Sequence, residues 1–463
     1  MLKKETRGVA QQIFRPLLYD ETIYNEISNF RLPFSIFKRS ATYKEVRDYL
    51  QEEQIINTIE FQPTRNDIFP NISILVKTID GTFSGAATTY TNKISETLSK
   101  SIGEGLERFL LTKTGNSEVK LRKFSLNAAE LAHLERFPKF LTDQSAALYN
   151  KKKQETDVSC LQVTGYSTRS AQWLPVQYVF WKENLPHEKK LVNSTTNGAG
   201  GHFKRGDAIV AGLCEEIERD TFLLYWLSKK TPEKIDLKSI KTAETKKIIN
   251  SLTEKGIVVH ILHLRNEFDI PVFVAVLLDT RDEMHALSIG AGVKPLSAEQ
   301  AVYTALIEAQ SVLGFSLSFT QNRLNLDDER IPFSDTSITR TERITMWYGK
   351  TIQEKISFFI SGAYIPITKV QDLPAQEAKD LIEKITQRLT KKGVSDILIY
   401  DVRSKHLRRL GYHVVKVIVP EFLQMYLAEP LATLHSPRLA KFLNKKIENI
   451  SIKDVNPLPH PFP

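Results

Sequence analysis

The chain has 463 residues, 41% of them hydrophobic and 25% charged, which is enough for one large core or for two to three ordinary domains. Only two cysteines, Cys160 and Cys214, are present, which argues against a disulfide framework or a cysteine-based zinc site and suits a reducing cytoplasm. The net charge of +9 fits a generic basic surface or an anionic ligand, but no nucleic-acid motif, signal peptide or membrane-length apolar run accompanies it, so we expect a cytoplasmic protein without membrane or nucleic-acid partners.

The pattern of apolar residues predicts secondary structure along the whole chain. In the first half, the predicted elements begin with a mixed and mostly helical region over 1–60 and then, over 67–90, a strand, a turn at Asp80-Gly81 and a small-residue strand or loop. A helix over 93–113, a strand over 176–180, a polar loop over 192–202 and a helix over 207–229 follow. In the second half, they are strands over 257–262 and 271–278 and a helix over 298–313 with a capping box at Ser297 and Gln300. A polar long loop or insertion over 320–350, a helix over 374–392, and strands over 397–402 and 413–419 follow.

The sequence Glu-x-x-Glu-Arg occurs twice, at 104–108 and at 215–219. Two carboxylates three residues apart lie on one face of a helix, and each copy read alone is a solvated face with a Glu–Arg pair four residues apart. Apolar residues flank both copies, however, so the glutamates lie near buried stripes. Two such helices that meet at one site need cations to neutralise their carboxylates, which is how proteins hold magnesium together with a polyphosphate.

A weak internal repeat links these helices to a third one. Three segments can be set in register without gaps: 96–108, 207–219 and 300–312. Each has a glutamate at its ninth position: Glu104, Glu215 and Glu308. This alignment predicts repeated strand–loop–helix units whose helices present acidic groups to a shared cavity.

Other residues are suited to binding phosphate. The guanidinium groups of Arg108 and Arg219 bind phosphate oxygens in a bidentate fork. The loop 195–198 offers hydroxyl, amide and backbone N–H groups, although it also reads as a plain Asn-Gly turn. The standard glycine-rich nucleotide motifs are absent, and we interpret His260 and His263 as core residues rather than metal ligands.

The sequence ends in four alternating prolines: Pro457, Pro459, Pro461 and Pro463. Alternating prolines favour a polyproline-II rod, which over seven residues spans about 20 Å and can hold a terminal carboxylate at a fixed place. The alternatives are a frayed tail or a ligand for a proline-binding module.

Taken in order, six motifs make the region 65–440 resemble the YcaO family. They are IGEGLERF, TTNGAGGHFKRGDAIVAGLCEEIERD, FDIPVFVAVLLD, SIGAGVKPLSAEQAVYTALIEAQS, LGYHVVKVIVPEF and SPRLAKF. The resemblance implies an α+β fold that binds ATP and Mg²⁺ without a Walker loop, built from strand–loop–helix units with mixed sheets and packed helices. It also implies three regions: an N-terminal, mixed helical region at 1–64, the catalytic domain at 65–440 and a proline-rich tail at 441–463.

The resemblance also implies roles for particular residues. It implies metal sites at Glu104, Glu107, Glu215, Glu218 and Glu308. It implies nucleotide contacts at Arg108, Thr196, Asn197, Asp207, Arg219 and Gln310. Two positions depart from the family pattern: Lys100 stands where a serine is usual, with Ser101 beside it, and Thr304 stands where an arginine is common.

The proline-rich ending resembles that of azoline-forming members of the family, so the expected activity is an ATP-dependent cyclodehydratase. In that reaction a Cys, Ser or Thr of a ribosomally made peptide attacks the preceding amide, whose oxygen is then phosphorylated. Pro457, Pro459, Pro461 and Pro463 are the expected catalytic tail. The expected partners are the precursor peptide and a separate ubiquitin-activating-like, leader-binding protein, and a homodimer is plausible. The alternatives are thioamide formation, an accessory role in ribosomal-protein methylthiolation, and a non-enzymatic peptide- or nucleotide-binding scaffold.

Overall fold

The protein is described here as a computed structural model. It describes residues 29–36, 39–63, 71–79, 83–90, 94–112, 119–141, 157–181, 185, 187–318 and 340–462. The helices in these ranges are α1 (Tyr43–Glu52), α2 (Ile94–Leu110), α3 (Arg205–Leu227), α4 (Ala243–Glu254), α5 (Ala298–Ser318), α6 (Arg340–Thr345), α7 (Ile352–Lys355), α8 (Ser357–Ile360), α9 (Ala378–Lys391), α10 (Lys405–Leu410) and α11 (Pro437–Phe442). None of the helices in the described ranges is long and apolar enough to span a bilayer.

The strands form two small and two large sheets. The small sheets are the hairpin of β1 (Arg31–Ile36) and β2 (Arg39–Thr42), and the antiparallel sheet of β3 (Ile56–Pro63), β4 (Asn71–Thr78) and β5 (Phe83–Tyr90). The first large sheet consists of β10 (Glu233–Ile235), β11 (Ile257–Leu264), β12 (Val272–Asp279), β13 (His285–Gly292), β14 (Tyr348–Gly349) and β15 (Tyr364–Ile365). The second consists of β6 (Arg122–Ser125), β7 (Asp157–Gly165), β8 (Ala171–Pro175), β9 (Ala199–His202), β16 (Leu398–Asp401) and β17 (His413–Ile418). The β10–β15 pair is parallel, so the first large sheet is mixed.

The helix α3 lies between the two large sheets. Successive side chains of a strand point to opposite faces. On β12, Val274 joins the core that contains α3, whereas Phe273 joins the core that contains α5. On β17, Val417 faces the α3 core, and Val414 faces the core that contains α2. The two sheets therefore separate three helices, and these are the helices that carry the acidic motifs.

The predicted strand–loop–helix units are confirmed at the three acidic helices. Strand β5 precedes α2, β9 precedes α3, and β13 precedes α5. The predicted α+β class, with mixed sheets and packed helices, is therefore also the observed one. Most predicted boundaries of the helices and strands after residue 200 agree with the structure to within a few residues, although the helix predicted over 298–313 continues to Ser318.

Several local predictions are wrong. In the described part of the N-terminal region predicted to be mostly helical, residues 29–63 contain three strands, and in the first of them Leu32, Phe34 and Ile36 alternate with exposed or half-buried residues. Residues 1–28 of that region lie outside the described residues. Residues 176–178 form a 3-10 helix rather than a strand, and the Gln177 side chain bonds the backbone of Lys189 and Leu191. The loop predicted over 192–202 ends in β9, and the loop predicted over 320–350 ends in α6 and β14. The Asp80-Gly81 turn lies outside the described residues.

The predicted region boundaries at 64 and 440 stay predictions, and structural contacts run across both. Strand β3, before the first boundary, pairs along its length with β4, after it. Beyond the second boundary, Ile450, Val455 and Phe462 belong to the same core as α3. The N-terminal strands and the tail therefore pack directly onto the predicted catalytic domain.

Candidate active site

Helix α2 presents the first acidic pair toward β9. Glu104 is partly exposed and forms an ion pair with Arg108, whose side chain is almost fully buried. Glu107 lies against Gly201 of β9, where a Cβ atom would collide with the Glu107 carboxylate. Burial, together with the charges of Glu104 and Glu215, raises the pKa of Glu107 to about 8. The first motif is therefore a site of crowded negative charge and not a solvated helix face.

Helix α3 presents the second acidic pair to the same place. Glu215 accepts a hydrogen bond from the Gly198 N–H at 3.0 Å, and Arg219 Nη2 lies 3.4 Å from its other oxygen. Arg219 Nε lies 3.5 Å from Glu218. Burial raises the pKa of Glu218 to about 8, and the carboxylates of Glu308 and Glu215 add to that rise. Arg219 thus lies between two carboxylates without neutralising both.

Glu308 brings in the third helix. Its side chain is accessible to solvent, yet desolvation by the surrounding protein, with the charge of Glu215, raises its pKa to about 7. Glu308 is therefore an accessible carboxylate whose charged form is destabilised by the protein around it. Glu215 contributes to the raised pKa of Glu107, Glu218 and Glu308, so it is close enough to interact with acidic groups on α2, α3 and α5.

The loop 195–198 closes one side of this acidic cluster. Asn197 Nδ2 donates to Glu216 Oε1 at 2.8 Å, and the Asn197 N–H donates to Thr195 Oγ1 at 3.2 Å. The buried Lys416 ammonium donates to the Thr195 carbonyl at 2.9 Å. The hydrogen bond between the Asn197 N–H and the Thr195 hydroxyl therefore holds the loop in place, in addition to the predicted Asn-Gly turn. The buried side chains of Glu216 and Lys416 hold it as well.

Sequence reasoning missed three residues that support the site. Glu216 is fully buried beside Asn197, Lys416 is almost fully buried, and the Tyr412 hydroxyl lies beside Gly201, next to Glu107. Glu216 follows Glu215 directly and could have been noticed as an extra acid in the motif. Lys416 and Tyr412 lie some 200 residues further along the chain, in and just before β17, so no local signal links them to α3.

Within the described ranges, Asp207, one of the predicted nucleotide-binding residues, pairs with a histidine and not with an arginine of the acidic cluster. Asp207 is part-exposed at the start of α3, and its carboxylate lies 3.3 Å from His202 Nδ1. Gln310 is buried, with 2% of its surface exposed. At the position that departs from the family pattern, Lys100 is exposed and pairs with Glu96 at 3.3 Å, whereas its neighbour Ser101 is fully buried. The nucleotide-binding roles of Asp207 and Gln310 stay predictions.

The proline-rich tail reaches the acidic cluster. Pro459, His460, Pro461 and Phe462 are buried, so a frayed tail is excluded for these residues. The Phe462 ring centre lies 3.6 Å from the Arg219 guanidinium carbon, a cation–π contact. Pro457 is exposed, and Pro463 lies outside the described residues. The catalytic roles of the prolines stay predictions. Phe462 of the tail does contact Arg219, which also contacts Glu215 and Glu218.

The cluster has features suited to Mg²⁺ and ATP. Among the described residues, no three acidic, histidine or cysteine side chains are close enough to hold a metal ion by themselves. Mg²⁺ does not require this, because it keeps several waters and binds through one or two carboxylates together with substrate phosphates. Arg219 Nη1 and Asn197 Oδ1 are buried and lack a hydrogen-bond partner within the described part of the chain. A donor and an acceptor left free beside these carboxylates fit a phosphate and its hydrated cation.

Replacing Gly198 with alanine is expected to destabilise the protein. Its φ of +78° is left-handed, and a Cβ atom would collide with the Val417 carbonyl. Gly393 is the matched control, because its φ is +93° but nothing lies within 4 Å of its Cβ position. We expect Gly393→Ala to cost about 1 to 2 kcal/mol from the backbone conformation. Gly198→Ala should cost about 1 to 3 kcal/mol more from the collision. Urea unfolding of both variants measures the difference, and equal losses would contradict it.

The raised carboxyl pKa values predict how stability depends on pH. Glutamate titrates near 4.5 when unfolded, whereas folding raises the pKa of Glu107 and Glu218 to about 8 and that of Glu308 to about 7. The folded state therefore binds more protons, so this contribution to stability is present below pH 4.5 and is lost as pH rises through 7 to 8.

In urea unfolding without divalent ions, we expect the midpoint to fall between about pH 6 and about pH 9. Mg²⁺ with ATP should reduce the fall, because a bound cation offsets the repulsion between ionised carboxylates. The variant Glu218→Gln, which cannot ionise, should show a shallower decline. A midpoint that rises over this range, or a decline unchanged in the variant, would contradict the prediction.

The fold and the cluster define an α+β protein whose acidic helices and arginines are suited to a nucleotide with magnesium, without a glycine-rich phosphate loop. Comparison with known families gives the assignment. Residues 92–423 match the family model described as YcaO cyclodehydratase, ATP- and Mg²⁺-binding. That match covers well over half of the chain, so the chain belongs to the YcaO family, whose cofactors are ATP and Mg²⁺.

Individual relatives and solved structures are more distant. An uncharacterized protein of Methanothermobacter thermautotrophicus is 26% identical over 265 residues, which cover 56% of this chain and 63% of the relative. A heterocyclase in complex with substrate and cofactor superimposes with a TM-score of 0.69 at 16% identity, over 96% of this chain and 61% of the heterocyclase. This chain thus spans less than two thirds of the length of either protein.

Two other solved structures share the fold. YcaO from Methanopyrus kandleri bound with AMPPCP and Mg²⁺ superimposes with a TM-score of 0.59 at 16% identity, over 88% of this chain and 96% of that one. The E. coli microcin synthetase McbBCD complex contains a chain that superimposes with a TM-score of 0.52 at 15% identity, over 80% of this chain and 88% of that one. At these identities the superpositions establish a common fold.

Proposed function

We propose that the protein is an ATP-dependent cyclodehydratase that forms thiazoline or oxazoline rings in ribosomally synthesised peptides. The observation that carries the proposal is the position of Arg219, which contacts Glu215 and Glu218 on one side and the Phe462 ring of the tail on the other. The tail therefore contacts an arginine that is suited to binding phosphate. This contact supports a role for the tail on a substrate that is being phosphorylated.

The proposed reaction consumes one ATP for each ring. The S–H or O–H bond of a Cys, Ser or Thr breaks as its sulfur or oxygen bonds to the preceding carbonyl carbon, and a proton passes to the carbonyl oxygen, which becomes a hydroxyl. That hydroxyl loses its proton as its oxygen takes the γ-phosphoryl group of ATP, and ADP is released. The C–O bond then breaks, phosphate departs with the former amide oxygen, and loss of the N–H proton leaves the C=N bond of the ring. An amide oxygen is a poor leaving group until it is phosphorylated.

The residues have distinct proposed roles in this scheme. The carboxylates that would hold hydrated Mg²⁺ are those of Glu104, Glu107, Glu215, Glu218 and Glu308, and the ion would offset charge on the transferring phosphoryl group. Arg108, Arg219 and the loop 195–198 bind phosphate oxygens. The tail orients the peptide or accepts a proton.

The proposal also includes two macromolecular partners. One is a precursor peptide, and the other is a separate ubiquitin-activating-like protein that binds its leader. The fold shared with a chain of the McbBCD synthetase complex supports a role within an assembly of several proteins.

Mass spectrometry of a treated precursor peptide tests the proposal. The purified chain is incubated with ATP, Mg²⁺, the partner protein and a Cys- and Ser-containing peptide encoded by a neighbouring gene. We expect loss of one water per ring, and ¹⁸O placed in the amide before the reacting residue should appear in the released phosphate. Replacement of oxygen by sulfur in the peptide would instead indicate thioamide formation. Peptide binding without any mass change or ATP consumption would indicate a scaffold.

A further inference from the structure

The tail is held at every second residue. Prolines 457, 459 and 461 have no N–H group, so the residues between them supply the contacts. The Leu458 carbonyl accepts a hydrogen bond from Trp226 Nε1 at 3.1 Å, and the His460 carbonyl accepts one from Arg343 Nη1 at 3.0 Å. The next such residue, Phe462, lies over the Arg219 guanidinium.

Two of these three contacts come from one face of α3. Arg219, Phe222 and Trp226 lie on that face, and the Phe222 ring packs edge-on against Phe462 at 5.1 Å. Seven residues of helix rise about 10.5 Å, and four residues of polyproline-II span about 12 Å. These contacts show that the tail runs back along α3 from Trp226 to Arg219, towards the middle of the helix, where the acidic pair lies.

The remaining contact comes from a buried ion pair outside α3. Arg343 on α6 is fully buried, and its Nη2 donates to Glu429 Oε1 at 2.7 Å and to the Leu427 carbonyl at 2.7 Å. The His460 ring is held as well, because its Nε2–H donates to the Tyr426 carbonyl at 2.8 Å. The Arg343–Glu429 ion pair thus joins the segment 426–429 to His460, in the middle of the tail.

This ion pair is poorly optimised for stability. Buried charges lose their hydration, and replacing such a pair with apolar residues is often neutral or stabilising. In addition, Arg343 Nε and Glu429 Oε2 are buried without a hydrogen-bond partner among the described residues. A buried network that is only partly satisfied costs stability. The pair does provide a fixed hydrogen-bond donor, Arg343, for the His460 carbonyl of the proline-rich tail, which has few N–H groups of its own.

We propose that Arg343 and Glu429 are positioning residues that place Phe462 over Arg219 and so align the tail with the acidic cluster. The inference rests on the proposed function, since it gives the pair a role in ring formation. It concerns the tail's position, however, and that position can be measured without any turnover.

The test removes the pair while avoiding an unpaired buried charge. In the double variant Arg343→Met, Glu429→Met, both charges are lost together, which favours retention of the fold. 4-Fluorophenylalanine placed at position 462 reports the tail by ¹⁹F NMR. We expect the ¹⁹F line to move to the position seen in the free peptide PLPHPFP. We also expect kcat for ring formation to fall about tenfold or more while KM for ATP is unchanged.

The control is the Arg265→Met variant, which breaks an exposed Arg–Glu pair at 2.7 Å. It should leave the ¹⁹F line and kcat unchanged.

A second variant guards against misfolding of the first. Arg343→Lys keeps the charge beside Glu429 but lacks the planar fork, so we expect a smaller ¹⁹F shift and a smaller loss of kcat. An unmoved ¹⁹F line in the double variant, or a released tail with full ring formation, would overturn the proposal. If the unaltered protein forms no rings while the ¹⁹F line still moves, the proposed function fails and the contact between the pair and the tail stands.

Discussion

Glu215→Gln is expected to abolish peptide-dependent ATP consumption and ring formation, with a loss of about a hundredfold or more. Glu215 raises the pKa of carboxyl groups on all three acidic helices and accepts the Gly198 N–H at 3.0 Å. Glutamine has nearly the same shape and can still accept that hydrogen bond. The substitution therefore removes the central negative charge that a cation needs and leaves the packing almost unchanged.

The same substitution is expected not to lower the stability of the metal-free protein. Removal of one carboxylate relieves its repulsion with Glu107, Glu218 and Glu308, so the melting temperature without Mg²⁺ should be unchanged or higher. Glu254→Gln, at an exposed glutamate at the end of α4, is the control and should keep full activity. Phosphate release, peptide mass spectrometry and thermal melting measure these effects. Full activity in Glu215→Gln would remove the basis of the proposed metal site.

Deletion of residues 457–463 is expected to stop ring formation, with a fall of about a hundredfold or more if the tail orients the peptide or accepts its proton. From sequence alone, such a deletion is expected to leave the fold intact. The structure adds a loss of stability, because Phe462 is 2% exposed and belongs to the α3 core. We therefore expect a lower melting temperature together with retained Mg²⁺–ATP binding, measured by calorimetry.

A single substitution separates the two effects of the deletion. Phe462→Leu keeps an apolar side chain in the core but removes the aromatic face over Arg219. We expect it to recover most of the melting temperature and only part of the ring-forming rate. If the deletion variant formed rings at the normal rate, the tail would be a structural element only, and the proposed catalytic role of the prolines would be wrong.

Local sequence patterns determined most of the elements that build the site. Glu104, Glu215 and Glu308 recur at one position of three aligned segments, and each lies on a helix that follows a strand. A period near 3.6 in apolar residues identifies such helices without knowledge of their neighbours, and the buried strands β11 and β12 were equally clear. The proline alternation likewise predicted an extended tail.

The sequence did not predict the features that depend on contacts between residues far apart in the chain. Lys416 supports the loop 195–198 from β17, and Arg343 reaches His460 across 117 positions. The alternation of Leu32, Phe34 and Ile36 is present in the sequence, but no strand was predicted from it. In the segment 176–180, tertiary packing overrode a strand-like composition, since Gln177 satisfies the backbone of Lys189 and Leu191.

The sequence by itself determined which residues carry charge and which helix faces they occupy, because these depend on spacing along the chain. Only the tertiary structure decided that the acidic faces of three helices meet near Glu215 and that Phe462 arrives there too. The physical reason is that burial and opposing charges set the chemistry of a carboxylate, and both are produced by packing between segments that are far apart in the chain.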